Sequence, residues 1–101
     1  MSIYLTQLIY LHADQSAAFE QFEALVLPLL GQYHGRLLLR IRPTPATVIE
    51  QSIEQPDEIQ LLEFASSADF ERYLADPLRQ QLLHLKTQSI RSSLVIQGTT
   101  L

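Results

Sequence analysis

Residues 3–41 read IYLTQLIYLHADQSAAFEQFEALVLPLLGQYHGRLLLRI. This stretch predicts a strand, a helix and a strand, over Ile3–Leu11, Ser16–Tyr33 and Arg36–Ile41. The strand is indicated by side chains that alternate along its length, and the helix by apolar residues spaced three and four apart. Gly35 suits the left-handed residue that often closes a helix. This stretch is therefore one β-α-β unit.

The second half of the chain repeats that order. It predicts a strand, a helical stretch and a strand, over Glu58–Phe64, Ser67–Leu85 and Ile90–Gln97. Two such units in 101 residues are typical of an α+β, ferredoxin-like βαββαβ domain with a four-stranded antiparallel sheet and both helices on one face. We therefore expect a single domain over residues 1–101.

The composition limits the classes of function. With 47% hydrophobic and 18% charged residues the chain is of ordinary globular type. The net charge of −4 argues against a nucleic-acid partner. The absence of cysteine excludes disulfides, thiolate metal sites and a cysteine nucleophile, and it fits a cytoplasmic protein. The apolar run Ile3–Leu11 is too short for a membrane span and lacks the basic flank of a signal peptide, so we expect no membrane association.

The alternation along the strands sorts their side chains onto two faces. We expect the helices to cover the face that carries Leu5, Ile9, Leu11, Leu37, Leu39, Ile41, Leu62, Phe64, Leu94 and Ile96. The opposite, open face would then carry Tyr4, Thr6, Leu8, Tyr10, His12, Arg36, Leu38, Arg40, Arg42, Leu61, Glu63, Arg91, Ser93 and Val95. That surface is too apolar for water, so it predicts a homodimer through the open faces.

The connection between the second and third strands is unusually long. Residues 43–57 contain three prolines and no helical period. We expect a short edge strand near Thr47–Glu50, and a segment that shapes a pocket or a dimer contact.

One motif resembles a known family. The run Leu29–Arg40, LLGQYHGRLLLR, resembles a stretch common in small bacterial proteins of unassigned function, of the domain of unknown function 1330 type. Leu62–Ser66, with Phe70, Tyr73 and the pair Asp76-Pro77 after it, is similar to the second half of that family. The family belongs to the dimeric α/β-barrel superfamily, so the resemblance implies two sheets that face each other and enclose a cavity.

The chain departs from this family at two places. The family tends to have two glycines where this chain has His34-Gly35, and a glycine follows its second arginine where this chain has Ile41-Arg42-Pro43. Relatives in the superfamily include cofactor-independent monooxygenases acting on polycyclic phenols, and lactone isomerases. The resemblance therefore implies a small organic ligand, without defining one.

Candidate site residues come from the predicted open face. His12 follows two tyrosines on the same face, and its residue type suits a general base, although a solvated histidine at a strand end is the simpler alternative. Tyr4 and Tyr10 are predicted to hold an aromatic ligand, or else to pack in the barrel. Buried charges must pair, so we expect Arg36 or Arg40 to face Glu63.

Three functions remain open from the sequence. The first is a cofactor-independent enzyme acting on an aromatic or lactone-like molecule, with His12 as base or proton shuttle and Arg40 stabilising negative charge. Tyr4, Tyr10 and Glu63 would then line the substrate. The second is a non-catalytic module that binds a small molecule in the same cavity, and the third is a structural or interaction protein without a ligand. No metal or cofactor is expected, because the three histidines are widely spaced and the three glycines form no phosphate-binding loop.

Overall fold

The computed structural model describes residues 1–101 and contains the two predicted units. The strands are β1 (Ile3–Leu11), β2 (Gly35–Ile41), β3 (Glu58–Phe64) and β4 (Ile90–Gly98). The helices are α1 (Ser16–Val26), α2 (Ser67–Leu74), α3 (Pro77–Gln81) and α4 (Leu83–Ser89), and the 3-10 segments are Leu27–Tyr33 and Pro45–Thr47.

The four strands form one antiparallel sheet in the order β2-β3-β1-β4. β1 and β3 are therefore central, and β3 lies between the two strands that α1 connects. This confirms the predicted α+β, four-stranded antiparallel architecture.

The core lies between the sheet and the helices. Leu5 and Phe64 on the sheet are completely buried, and Phe19 of α1 is 1% exposed. The start of β2 approaches this core so closely that a Cβ on Gly35 would lie 2.5 Å from Cε1 of Phe64. Gly35 is thus required by packing, and the left-handed residue that closes the preceding segment is His34, with φ of 55°.

The predicted helices are each divided. The helical stretch Ser16–Tyr33 is α-helical only to Val26, because Pro28 has no N–H to continue the ladder and starts a 3-10 segment instead. The second stretch breaks at Asp76, whose carboxylate caps α3 by accepting from the Arg79 N–H at 2.9 Å.

A β-bulge in β2 changes which face its arginines occupy. The β2–β3 register shifts between Leu37 and Leu39, so Leu39 lies opposite Leu61 and Arg40 opposite Gln60. Leu39 therefore points to the open face and Arg40 to the helices. The predicted placement of Arg40, and of Leu39 and Ile41 with it, was wrong because the extra residue inverts the alternation.

From Ser93 to Ile96 the faces of β4 are also the reverse of those predicted, whereas Arg91 lies beside Tyr10 on the open face as predicted. Leu94 lies opposite Leu8 and Ile96 opposite Thr6, so both point to the open face. Val95 points to the helix side, where it lies opposite Gln7. The register of β4 shifts beside Tyr10, which the alternation of the sequence did not reveal. The corrected open face is more apolar than the one predicted.

The long connection lies over one end of the open face. It contains the 3-10 segment Pro45–Thr47 and no strand, so the predicted edge strand at Thr47–Glu50 was wrong. Together with Leu8, Ile41 and Ile59 it encloses an open pocket of about 650 Å³. None of the helices is both long enough and apolar enough to cross a membrane.

Candidate functional site: a pocket between the helices and the sheet

Tyr4 and Glu63 lie at one end of the open face. They are direct neighbours across β1 and β3, and the Arg36 Nε donates to Glu63 Oε1 at 2.6 Å. This is one of the two pairings predicted for Glu63. A hydrogen bond from Arg36 holds the pKa of Glu63 below its usual value, and the hydrogen bond to Glu63 raises the pKa of Tyr4.

Tyr10 lies at the other end of β1. Its hydroxyl donates to the Glu54 carbonyl at 2.7 Å, and the Arg91 guanidinium lies 5.6 Å from its ring centre. Six residues of strand, about 20 Å, separate it from Tyr4. Tyr10 therefore anchors the long connection, and the two tyrosines do not flank one ligand within a single chain.

His12 and Arg40 are not brought together either. The His12 backbone N–H donates to the Ser89 carbonyl at 2.8 Å, while its exposed side chain makes no hydrogen bond and lines none of the pockets. Arg40 lies on the helix side of the sheet. Of the five site residues predicted from the sequence, only Tyr4 and Glu63 thus lie together, and the five form no common site in one chain.

The charge of Arg40 is used in an ion-pair network with Glu20, Arg42, Glu58 and Gln60, called here the Arg40 network. Arg40 Nε donates to Glu58 Oε2 at 2.6 Å, and Arg40 Nη2 donates to Glu20 Oε1 at 3.0 Å. Glu58 is 1% exposed and also accepts from Gln60 at 2.6 Å. Every buried charge in this network has a partner, which is the pattern of a structural ion pair.

A second group of polar side chains converges on a cavity of about 100 Å³ between the helices and the sheet. This helix–sheet pocket has an apolar half made of Ile9, Phe22, Phe70, Leu74, Ile90 and Val95. Its polar half is made of Gln7, Glu23, Tyr73, Arg79, Lys86 and Ser93. The cavity is smaller than the roughly 300–1,000 Å³ of most ligand pockets, so it accommodates only a very small molecule.

Glu23 is the most perturbed titrating group of this pocket. It lies in the middle of α1, is 5% exposed, and has no ion-pair partner, since Arg40 is paired with Glu20 and Glu58. Burial raises its pKa to about 7, and the Gln60 amide and the Arg40 charge only partly offset that effect. Near neutral pH it can therefore both take up and release a proton.

Arg79 provides a buried positive charge in the same pocket. Its side chain lies over the Tyr73 ring, with Cζ 5.1 Å from the ring centre. It makes no salt bridge within 4 Å, but it acts on two neighbours. A hydrogen bond from Tyr33 lowers the pKa of the nearby Asp76 carboxyl group, and the Arg79 charge lowers it further. The Arg79 charge and a hydrogen bond from Arg79 also oppose the rise that burial causes in the pKa of Tyr73. Its Nη1 donates to the Leu74 carbonyl at 3.4 Å. The Nε atom is buried and has no partner. The protein thus leaves this one donor of the guanidinium without a partner.

Lys86 and Tyr73 complete the polar half. Burial lowers the pKa of Lys86, and the neighbouring Arg79 charge lowers it further. Burial raises the pKa of Tyr73, so its hydroxyl keeps its proton at neutral pH. The pocket therefore contains two cationic side chains, one carboxyl group that titrates near neutrality, and one phenol.

The sequence contained a signal for one of these residues. Glu23 lies on the apolar stripe of α1, four residues after Phe19 and three before Val26. A carboxylate in that position is predicted to be buried. Arg79 and Lys86 gave no comparable signal, because their burial follows from how the short helices α3 and α4 fold back on the sheet. No group of three or more histidine, aspartate or glutamate side chains is placed to hold a metal ion.

Comparison with known proteins supports the fold. No family model and no curated protein matches the chain. Among solved structures, the RPA0582 protein of unknown function from Rhodopseudomonas palustris superposes with a TM-score of 0.84 at 18% identity, over 99% of this chain and 82% of that one. A dabb-family protein with a ferredoxin-like fold from Mesorhizobium loti gives 0.71 at 20% identity, over 99% and 97%. The chain has a ferredoxin-like fold.

Two further solved structures are similar to the chain in fold. A dimeric protein of unknown function with a ferredoxin-like fold from Bacteroides fragilis gives a TM-score of 0.70 at 12% identity, over 98% of this chain and 96% of that one. SnoaB of Streptomyces nogalater, a cofactor-independent oxygenase, gives 0.67 at 13% identity, over 98% and 92%. The similarity thus extends to ferredoxin-like proteins of the dabb type. The resemblance to the 1330-type family stays a prediction, because no family model matches.

Proposed function

We propose that this protein is an enzyme that acts, without a cofactor, on a small aromatic or lactone-like molecule held in the helix–sheet pocket. The observation that carries the proposal is Glu23, a buried carboxyl group with a pKa of about 7 in the wall of that pocket. Titrating groups tuned to the working pH cluster at catalytic sites. SnoaB, a structural neighbour, is a cofactor-independent oxygenase.

The proposed chemistry begins with proton transfer. Glu23 accepts a proton from a C–H or O–H acid of the substrate and returns it in a later step. The negative charge that develops on the substrate oxygen is stabilised by the Arg79 guanidinium, with Lys86 next to it. Return of the proton at another carbon gives an isomerisation. Alternatively, the carbanion of a CH₂ group reacts with O₂ to form a peroxide, Glu23 returns its proton to the peroxide oxygen, and loss of water with cleavage of the O–O bond leaves a C=O group.

We propose also that two copies associate through their open faces into a dimeric α/β barrel. Leu39, Ile41, Leu94 and Ile96 are 43–53% exposed and lie on that face. The molecule measures 36 × 36 × 16 Å, so its broad face exceeds the roughly 800 Å² per partner of a standard interface. The dimeric relative from Bacteroides fragilis supports this assembly.

The dimer is tested with one pair of matched variants. Leu94→Glu places a charge on the open face, whereas Leu25→Glu changes a side chain of similar exposure, 43% against 49%, on the outer surface of α1. Light scattering after size exclusion should give twice the chain mass for wild type and Leu25→Glu, and a monomer for Leu94→Glu. A wild-type monomer would exclude the proposed barrel.

The enzymatic proposal is tested with two probes. We expect the wild-type protein to accelerate either the isomerisation of α-angelica lactone in D₂O, followed by NMR, or the uptake of oxygen by 1,3-cyclopentanedione, a C–H acid of similar size. Glu23→Gln should lower the rate at least about 100-fold, as expected for loss of a general base. Glu71→Gln, an exposed position on α2, should have no effect.

His12→Ala serves as the competing variant, because the sequence assigned the base to His12. Loss of turnover in His12→Ala with full activity in Glu23→Gln would return that role to His12 and exclude the helix–sheet pocket. Absence of turnover with both probes, together with saturable binding, would favour the second candidate, a binding module. The Arg79 Nε favours that candidate, because a buried donor without a partner needs only a bound ligand and not a reaction.

A further inference from the structure

We propose that the protein has a second binding site, separate from the helix–sheet pocket, which takes an uncharged and mainly apolar organic molecule about the size of two fused rings. The site lies on the open face, between the sheet and the long connection of residues 43–57, and is called here the connection pocket. One chain supplies its whole lining, so the inference rests neither on the proposed enzyme nor on the proposed dimer. Its lining, the contacts that hold the connection, its volume and its charge all favour such a ligand.

The floor of the connection pocket is apolar. Leu8, Ile41 and Ile59 are neighbours on three strands, since Ile59 of β3 lies opposite Leu8 on one side and opposite Ile41 on the other. The facing wall adds three apolar side chains from the connection, Val48, Ile49 and Ile53. Ile49 is 97% exposed and Ile53 is 54% exposed, so the chain itself covers little of their surface. A ligand between the two walls would remove this apolar surface from water.

Hydrogen bonds hold the connection in place over this floor. The Tyr10 hydroxyl donates to the Glu54 carbonyl at 2.7 Å, and Arg91 Nη2 donates to both carboxylate oxygens of Glu54 at 2.8 Å. Within the connection, the Gln55 side-chain amide donates to the Pro43 carbonyl at 3.1 Å. The connection therefore forms one wall of the pocket before a ligand binds, which lowers the entropic cost of binding.

The two pockets differ in the size of the molecule that they accept. The connection pocket has a volume of about 650 Å³, within the roughly 300–1,000 Å³ of most ligand pockets, whereas the helix–sheet pocket has about 100 Å³. A molecule of two fused rings fits the first and is too large for the second. The connection pocket opens onto the face proposed for association, so in the dimer the partner chain would close its mouth.

The charges of the lining argue against an anionic ligand. No lysine, arginine or histidine lines the connection pocket, and its two charged side chains are the carboxylates of Glu50 and Glu54. Arg91 pairs with Glu54 and neutralises it, whereas Glu50 is exposed to water, where its attraction for a cation is small. An anion would lie on an apolar floor without a partner. An uncharged molecule therefore fits this lining best, and Gln51 and Ser52 can bind its hydroxyl or carbonyl group.

The experiment compares 2-naphthol with 2-naphthoate, two probes of similar size that differ in charge at pH 7. Isothermal titration calorimetry should show saturable binding of 2-naphthol to the wild-type protein, and binding of 2-naphthoate that is at least about tenfold weaker. Ile53→Asp places a carboxylate in the wall of the pocket and should weaken 2-naphthol binding about tenfold or more. Leu78→Asp changes a side chain of similar exposure, 47% against 54%, that lines none of the pockets, and it should bind 2-naphthol as wild type does.

A second measurement locates 2-naphthol in the wild-type protein, and it decides the matter also if Ile53→Asp does not fold. Nuclear Overhauser effects between the ring protons of 2-naphthol and isoleucine methyl groups should involve Ile41 and Ile59, on the floor of the connection pocket. Effects that involve Ile9 and Ile90 instead, which line the helix–sheet pocket, would overturn the inference.

Three further results would overturn the inference: no saturable binding of 2-naphthol, equal affinity for 2-naphthoate, or equal binding of 2-naphthol by Ile53→Asp and Leu78→Asp. A second copy of the chain is the competing occupant of the pocket. It would be indicated if 2-naphthol does not bind, while Ile53→Asp but not Leu78→Asp converts a dimer into a monomer in light scattering. Turnover that depends on Glu23, in a protein that does not bind 2-naphthol, would support the enzyme and exclude the second site.

Discussion

The Arg40 network and the helix–sheet pocket are two groups of buried charge on the same side of one sheet. In the network, Glu58 accepts from both Arg40 and Gln60 at 2.6 Å, and each buried charge has a partner. In the pocket, Glu23 is 5% exposed and Arg79 is 9% exposed, and neither forms a salt bridge. The network differs in its pairing, and also in that only Glu58 is fully buried while the side chains of Arg40 and Glu20 are 27% and 43% exposed.

This difference separates structural from functional charge. A paired buried charge contributes to one well-defined fold, and removing one partner leaves the other in a low-dielectric environment. An unpaired buried charge lowers stability until a ligand supplies its partner. Variants that remove a paired charge of the network and variants that remove an unpaired charge of the pocket should therefore change the unfolding free energy by different amounts and in different directions.

The largest effect is expected from Glu58→Ala. This change leaves Arg40 with the partly exposed Glu20 only, and loss of one partner of a buried ion pair costs about 3–5 kcal/mol. Urea unfolding should show this decrease, whereas Glu71→Ala, at an exposed position, should change the unfolding free energy by less than about 0.5 kcal/mol. If Glu58→Ala and Glu71→Ala lowered the unfolding free energy equally, the ion pairs of the Arg40 network would contribute no more to stability than an exposed surface residue does.

The next effect is a pH dependence that comes from Glu23. Its folded-state pKa of about 7 lies above the usual value of 4.5, so the native state binds more protons than the unfolded chain between those pH values. The unfolding free energy should therefore fall as pH rises from about 4.5 to 7, by as much as about 3 kcal/mol. The charges around this group are Arg40, Glu58 and Glu20.

Glu23→Gln isolates this contribution, because the amide does not titrate. The difference in unfolding free energy between Glu23→Gln and wild type should be small at pH 4.5 and should favour the variant at pH 8. Denaturant curves at both pH values measure it. A difference that does not change with pH would show that Glu23 titrates in the native state as it does in the unfolded chain.

A smaller effect of opposite sign to that of Glu58→Ala is expected from Arg79→Met. Replacing an unpaired buried charge by an apolar side chain of similar length should leave the unfolding free energy within about 1 kcal/mol of wild type, or raise it. Thermal unfolding without added ligand is the measurement. A loss comparable to that of Glu58→Ala would mean that Arg79 is structural and has a partner within the protein.

The smallest effect on folding is expected at the Arg36–Glu63 pair on the open face. The Arg36 side chain is 71% exposed, so water and salt screen this pair in a single chain. Glu63→Gln should shift the denaturation midpoint least of these variants, and added salt should reduce that shift further. A large shift that depends on protein concentration would show instead that the pair is buried in the dimer.

The sequence predicts the order of the elements well and their faces poorly, and both outcomes have physical reasons. Ile3–Leu11 and Glu58–Phe64 form strands with the predicted bounds, because alternation and turn residues are local signals. The run Leu37-Leu38-Leu39 fits either face, so the bulge within it leaves no trace in the pattern. Arg40 was misplaced for that reason.

The candidate site was less predictable than the fold. The predicted base, His12, suits general-base chemistry by residue type, but its exposed position gives it no partner. Glu23 was visible as a carboxylate on an apolar stripe, whereas Arg79 becomes buried only because α3 is short and turns its side chain over Tyr73. Such packing depends on several elements at once, and no single segment encodes it.

The bulge at Leu38 in β2 determines both how the buried charges pair and which side chains form the open face. Without the bulge, regular pairing of Leu38 with Leu61 would interchange the outward and inward residues beyond it. Arg40 would move to the surface proposed for association, and Leu39 and Ile41 would move against the carboxylates of Glu20 and Glu58. Both the stability of the fold and the proposed association therefore depend on this single bulged residue. A mutation that removed the bulge would change both together.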